Sequence, residues 1–204
     1  MPQSLPAIET TALITMELQQ GVVGDCSSMT ALRDAALNEG TLQNCGLLAH
    51  AARRAGVVVI HAVVSWRADR TGTALNTPLV ASLAQNPDQI LEGTRAVELI
   101  PELGDTSADL LSHRRTGLTP FTCTDLDATL RSLGVQTLVP CGVSLNIGVL
   151  GLCLSASDLG YDLVLCSDAS VGLPVTYGEL IFKNTLAMLG TVTTTDALLE
   201  HWSR

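Results

Sequence analysis

The chain of 204 residues is predicted to fold as a three-layer αβα domain around a doubly wound, mostly parallel sheet of five or six strands. Short apolar runs alternate with segments of helical spacing, which is typical of β-α-β units. The composition is 47% hydrophobic, yet no apolar run approaches the roughly 18 to 20 residues of a membrane helix. The apolar excess therefore indicates strands that are buried on both faces. The sequence contains no repeat or long linker, so we expect residues 1–204 to form a single domain.

The predicted elements follow one another in regular alternation. Strands are expected at 11–16, 57–64, 109–113, 136–141 and 162–166, with a sixth at 191–193. Helices are expected at 32–55, 124–134, 144–159, 174–189 and 196–202. Gly40 is expected to interrupt the first of these helices. The irregular segment 65–106 is long enough to suggest a functional lid.

The charge balance excludes two classes of partner. The net charge is −9 with only 11 Lys and Arg, so the chain has no basic patch for nucleic acid or an anionic membrane. Residues 1–9 lack the basic and apolar regions of a signal peptide. None of the six cysteines forms a C-x-x-C pair, which is typical of reduced thiols in a cytosolic protein. We therefore expect a cytoplasmic protein that binds a small molecule.

Ligands of doubly wound sheets bind beyond the carboxyl ends of the strands. That rule selects residues 17–20, 65–67, 114–121 and 142–148 as the candidate site. Its polar members include one carboxylate and several arginines, which are groups able to move a proton or bind an anion.

The same places resemble motifs of the isochorismatase-like hydrolase superfamily, from Thr11 to about Gly190. The opening segment Thr-Ala-Leu-Ile-Thr-Met-Glu-Leu-Gln resembles the family's first strand, with Glu17 where the family has a catalytic aspartate. The segment Arg-Thr-Gly-Leu-Thr-Pro-Phe, followed by Thr-Asp-Leu, resembles the family's lysine segment, with Arg115 at the lysine position. The segment Cys-Gly-Val-Ser-Leu-Asn-Ile-Gly resembles the nucleophile segment, with Gly148 at the cysteine position.

Gly148 has no side chain, so an acyl-enzyme at this position is impossible. The isochorismatases proper also carry glycine there, in Gly-Val-Tyr-Ala-His-Ile-Gly, and cleave a vinyl ether without a covalent intermediate. The resemblance therefore implies a hydrolase without a cysteine nucleophile, whose catalytic set is Glu17, Arg115 and Gly148. Glu17 would serve as acid or base, and Arg115 would clamp a substrate carboxylate.

Seven further residues are expected to bind the substrate: Gln19, Trp66, Arg67, Phe121, Val143, Ser144 and Asn146. The relatives imply a cis peptide between Val143 and Ser144, and a homo-oligomer. No cofactor is expected. No metal is expected either, because the stretch after the second strand lacks the histidines of the metal-binding relatives.

Each assignment has an alternative. Glu17 and Arg115 can be interpreted as a structural ion pair, Gly148 as a helix-packing residue, and Trp66 as core. The chain can also be interpreted as a catalytically silent member of the superfamily. Such a member would bind a small molecule or a partner protein through the pocket that corresponds to the family's active site. A third hypothesis makes Cys123 a replacement nucleophile near a helix N-terminus. The aromatic content of 3% favours an aliphatic substrate or the silent member.

Overall fold

The computed structural model describes residues 5–203. Within these residues six strands form one sheet: β1 (Thr11–Met16), β2 (Val58–Val64), β3 (Leu110–Arg114), β4 (Thr137–Gly142), β5 (Asp162–Cys166) and β6 (Thr191–Thr193). All neighbouring strands are parallel, and their order is β3-β2-β1-β4-β5-β6. The predicted doubly wound α/β architecture is confirmed.

Seven α-helices lie in the described part of the chain: α1 (Thr30–Asn38), α2 (Thr41–Ala55), α3 (Pro78–Leu83), α4 (Leu126–Ser132), α5 (Leu150–Asp158), α6 (Val175–Asn184) and α7 (Thr195–Trp202). Gly40, with φ of 68°, separates α1 from α2 as predicted. The segment 65–106 is less irregular than expected, because it contains α3 and two short 3-10 turns, Arg95–Val97 and Pro101–Leu103. Over residues 5–203, no helix is both long and apolar enough to cross a membrane.

The sheet separates two hydrophobic clusters. Leu13 belongs to the cluster beneath α1, α2 and α7, whereas its neighbour Ile14 belongs to the cluster beneath α4, α5 and α6. Successive side chains of a strand point to opposite faces, and every residue of β1 is buried. The many apolar side chains of this sequence are therefore buried on both faces of the sheet.

The register of the central strands brings distant segments together at one edge. Met16 at the end of β1 pairs with Ala62 of β2 and with Gly142 of β4. Val64 of β2 pairs with Arg114 of β3. The chain segments that leave β1, β3 and β4 are thus neighbours at the carboxyl edge of the sheet, where the sequence predicts the site.

Candidate active site

A cavity of about 430 Å³ opens beyond the carboxyl ends of β1, β2 and β3. Its walls come from the strand ends, the start of α1, the segment around α3 and the turn that precedes α5. Among the predicted site residues, five line this cavity: Glu17, Trp66, Ser144, Asn146 and Gly148. The volume is within the usual range of small-molecule sites.

Glu17 occupies an unusual backbone conformation directly after β1. Its φ is 53°, in the left-handed region that side-chain-bearing residues rarely adopt. Two backbone hydrogen bonds hold the turn, from Glu17 N to Ala62 O at 3.0 Å and from Gln19 N to Glu17 O at 2.8 Å. A conformation of this kind costs on the order of 1 to 3 kcal/mol and clusters at ligand sites. The turn places the Glu17 side chain at the cavity, with 19% of that side chain exposed.

The cation beside Glu17 is Arg114. Its Nη2 donates a hydrogen bond to Glu17 Oε1, and only 3% of the arginine side chain is exposed. Its Nε donates to the carbonyl oxygen of Gly117 at 3.4 Å. Its Nη1 is buried and has no hydrogen-bond partner among the described residues. A nearly buried ion pair therefore forms the polar end of the cavity, and one donor of that pair is unused.

The predicted pairing of Glu17 with Arg115 is wrong. Side chains alternate along β3, so Ser112 and Arg114 point inward and the next residue points away. Arg115 Nε instead binds Glu92 Oε1 at 2.8 Å, with 52% of the arginine side chain exposed. Arg115 does not line the cavity, so a carboxylate clamp at that residue has no access to a ligand there.

Gly148 lies in the five-residue π-helical turn Leu145–Val149, which leads into α5. A Cβ added at Gly148 would be 2.9 Å from Met16 Cε and 3.2 Å from the carbonyl oxygen of Val143. The Met16 side chain, which is fully buried, thus packs where a side chain at position 148 would project. The peptide between Val143 and Ser144 is cis, as predicted.

Comparison with known proteins agrees with this arrangement. The Isochorismatase domain model matches residues 11–197. The chain belongs to the isochorismatase family. It is 31% identical over 170 residues to the uncharacterised isochorismatase family protein YecD of Escherichia coli O157:H7, covering 79% of this chain and 79% of YecD. The ureidoacrylate amidohydrolase RutB of Rhizobium rhizogenes (strain K84 / ATCC BAA-868) is 29% identical over 148 residues, covering 67% of this chain and 60% of RutB.

The isochorismatase fold is also shown by solved structures. The cysteine hydrolase of Pseudomonas syringae pv. phaseolicola 1448A superposes with a TM-score of 0.83 at 23% sequence identity. The match covers 98% of this chain and 96% of that structure. The family resemblance inferred from the motifs is therefore confirmed, and it extends over the strands and loops that form the cavity.

In this isochorismatase-family chain, two residues predicted to bind the substrate lie outside the cavity and make contacts within the protein instead. Gln19 is fully buried, and its amide donates to the carbonyl oxygens of Val64 and Val97 at 3.0 Å each. The Gln19 side chain also accepts from the Val64 N–H at 2.8 Å. Arg67 is on the surface, in an ion pair with Asp69 at 3.0 Å. Neither residue lines the cavity, so the structure places both away from the space in which we expect a ligand to bind.

Phe121 and Val143 also lie away from the cavity. The Phe121 ring stacks on Tyr161 with 6.1 Å between centroids, and it packs against the cluster under α4, α5 and α6. Val143 is completely buried in the other cluster. Phe121 therefore packs against the core, and Val143 contributes its backbone to the cis peptide rather than a side chain to the cavity.

Most of the cavity wall was missed by sequence reasoning. Apolar residues of α1 and α3 and of the adjoining turns supply it, namely Met29, Leu32, Leu79, Val80, Leu83 and Ile90. One sequence feature indicates α3: Thr77 before Pro78 is a favourable N-cap and first-turn pair. Thr77 Oγ1 accepts from Val80 N at 3.2 Å. The lid predicted for 65–106 therefore includes a capped helix that faces the cavity.

The cysteines of the described segment lie outside the cavity lining. Cys123 is exposed, with φ of 58°. Burial raises the pKa of the Cys153 thiol to about 12. The pKa of Cys141 is raised by its hydrogen bond with Cys45 and by burial. Buried thiols of high pKa carry little thiolate and are unreactive. Within residues 5–203, no cluster of three His, Cys, Asp or Glu is arranged to hold a metal ion.

Proposed function

We propose that this chain is a hydrolase of a small molecule in which Glu17 activates water directly, without a covalent cysteine intermediate. The observation that carries the proposal is the Glu17–Arg114 pair at the end of a cavity whose other described lining residues are uncharged. Family membership and the name of the relative RutB, an amidohydrolase, support hydrolysis as the reaction class. The cavity lining contains no cysteine among the described residues.

The hydrogen bonds of the Glu17 side chain suit it to proton transfer. The Glu17 carboxylate accepts the hydrogen bond from Arg114 at Oε1. Among the described residues this leaves Oε2 available for a water molecule. Glu17 accepts a proton from this water as the water oxygen bonds to the substrate's electrophilic carbon. The same proton then passes to the leaving group, so that the elements of water are added across the cleaved bond.

Arg114 acts as an electrostatic partner in this scheme. Its guanidinium supplies a fixed positive charge next to the carboxylate. It fixes the orientation of the Glu17 carboxylate and stabilises negative charge that develops on the substrate oxygen. At the predicted nucleophile position, Gly148 lines the cavity, and the space into which a side chain would project is filled by Met16.

The test is hydrolysis of a panel that contains isochorismate, small amides, vinyl ethers and carbamates. Native protein is compared with Glu17→Gln, which removes the proton acceptor and keeps the side-chain size. Glu92→Gln is the matched control, because Glu92 also binds an arginine but lies outside the cavity. We expect turnover by the native protein and by Glu92→Gln, and a loss of about 100-fold or more in Glu17→Gln.

Two results would contradict the proposal. Equal turnover by Glu17→Gln and native protein would remove Glu17 from the reaction. Absence of turnover on the whole panel, with ligands still raising the melting temperature, would instead favour the catalytically silent family member.

A further inference from the structure

The cavity contains one positive and one negative side chain, and these bind each other. Among the described residues that line it, Glu17 and Arg114 are the only charged ones. The site is thus neutral before a ligand enters. A ligand that carries its own charge would find no free counter-charge in the wall.

A carboxylate would be especially unfavourable in this position. It would lie beside the Glu17 carboxylate, in a site whose single cation already has a partner, within a chain of net charge −9. Removing a charge from water without a full counter-charge costs several kcal/mol. An uncharged carbonyl oxygen meets no such penalty.

The walls favour an aliphatic ligand over an aromatic one. Trp66 supplies the only aromatic ring of the described lining, and the Arg70 guanidinium covers that ring at 5.1 Å from its centroid. The large apolar side chains of the wall other than Trp66 are branched or flexible groups, among them Leu32, Leu79 and Ile147. Such walls gain from apolar contact area and offer few faces for stacking.

We propose that the cavity takes an uncharged small molecule with an aliphatic body and a carbonyl group, of the amide or ester class, and excludes carboxylates of the same size. The inference rests on the function proposed above and names the substrate class for it. It replaces the carboxylated substrate expected from the sequence, since that expectation assigned the anion clamp to Arg115, which lies outside the cavity.

The test is calorimetric binding of matched ligand pairs to the native protein at neutral pH. The first pair, 4-methylpentanamide and 4-methylpentanoate, has one carbon skeleton and differs in charge. We expect the amide to bind about tenfold or more tightly than the carboxylate. The second pair, cyclohexanecarboxamide and benzamide, is matched in size, and we expect tighter binding of the saturated ring. Tighter binding of the carboxylate, or no binding by any of the amides, would overturn the proposal.

Ligand binding to Glu17→Gln is a second test, because this variant removes the carboxylate that neutralises Arg114. This variant is expected to gain about tenfold in affinity for 4-methylpentanoate, whereas Glu92→Gln keeps the native affinity. The two proposals fail separately. A preference for amides without Glu17-dependent turnover would contradict only the hydrolase, and Glu17-dependent turnover with a preference for carboxylates would contradict only the substrate class.

Discussion

Arg114 and Arg115 are neighbours in the chain, yet their surroundings differ completely. One is nearly buried against Glu17, and the other is half exposed against Glu92. Because alternate side chains of a strand point to opposite faces, a shift of one residue exchanges a site residue for a surface residue. The motif spacing placed the family's cation at Arg115. The inward positions of β3, Ser112 and Arg114, could have been assigned only from strand boundaries known to one residue.

Substitution of the two arginines gives a matched comparison. Arg114→Gln leaves the Glu17 carboxylate partly buried without its cation, so we expect a loss of about 2 to 3 kcal/mol in the free energy of unfolding. We also expect its turnover to be lost. Arg115→Gln removes an exposed ion pair and should cost about 1 kcal/mol or less. Urea unfolding and kcat/KM on the best panel substrate measure both effects, and equal effects of the two variants would contradict the site.

Gly148→Ala tests the space at the predicted nucleophile position. The new Cβ would meet Met16 Cε at 2.9 Å, and that methyl group is the flexible end of its side chain. We therefore expect a change in stability of about 1 kcal/mol or less, since the helix gains from the loss of glycine while the packing tightens. Gly148 lines the cavity, so the added methyl group and the shift of Met16 that it requires should lower kcat/KM by about tenfold or more. Thermal unfolding measures the change in stability, and steady-state kinetics measures the change in kcat/KM. Unchanged kinetics would show that the substrate does not occupy the space next to Gly148.

At the scale of elements, α3 is the part of the fold that most directly shapes the cavity. Its side chains Leu79, Val80 and Leu83 line the wall, and its N-terminus is capped by Thr77. Thr77→Ala should cost about 1 kcal/mol locally and weaken the binding of 4-methylpentanamide.

The control is the equivalent cap of α7, where Thr194 Oγ1 accepts from Ala197 N at 3.3 Å. Thr194→Ala should lower the melting temperature and leave ligand affinity unchanged, because α7 is absent from the cavity wall. Calorimetric titration and thermal unfolding of both variants provide the comparison. An equal loss of affinity in the two variants would show that α3 has no special role.

The elements that could be predicted are those with strong local patterns. The first strand was predicted at its observed bounds, and the break at Gly40 follows from a residue that adopts positive φ without strain. The helix α3 was not predicted, because six residues are too few to show a helical period. Trp66, Ser144 and Asn146, three of the predicted substrate-binding residues, line the cavity, and Trp66 is also part of the buried core. Gln19 does not line the cavity. Nothing in the sequence indicates this, since a buried amide that bonds only to backbone groups has the same sequence context as an amide that binds a ligand.

At the scale of the whole molecule, a buried polar chain links β1, β2 and α2. Thr15 Oγ1 lies 2.7 Å from His61 Nδ1, and His61 Nε2 lies 2.8 Å from Asp109 Oδ2. Arg53 completes the chain, with Nη2 2.6 Å from Asp109 Oδ2. This geometry suits a neutral imidazole that accepts from Thr15 and donates to Asp109.

Protonation of this chain sets the pH dependence of stability. Burial lowers the pKa of His61 below its usual value of 6.5, against the hydrogen bond and charge of Asp109, which raise it. Burial raises the pKa of Asp109, but the hydrogen bonds from Arg53 and His61 outweigh it and leave the pKa below 3.8. In acid the unfolded state therefore binds more protons than the folded state. Stability is lost first as the pH falls below 6.5, through His61, and further below 3.8, through Asp109.

The prediction is a melting temperature that falls by about 3 °C or more between about pH 7.5 and about pH 5.5. His61→Gln should lower the melting temperature at both pH values and reduce this difference. A residual slope is expected from the partly exposed His113, whose pKa is also lowered, by burial and by the charge of Arg115. An undiminished pH dependence in His61→Gln would contradict the assignment.

Three statements about the whole molecule stay predictions. They are that residues 1–204 form a single domain, that the chain forms a homo-oligomer, and that it is cytoplasmic. Composition and family resemblance suggest them.

The most direct test of hydrolysis without a cysteine nucleophile is kcat/KM on the best panel substrate before and after treatment with iodoacetamide. The reagent reaches the exposed thiols of Cys26 and Cys123, and intact mass verifies their modification. We predict unchanged kcat/KM when both thiols are alkylated, because neither lines the cavity. A fall in kcat/KM in proportion to the alkylation of Cys123 would contradict it and make that thiol the nucleophile.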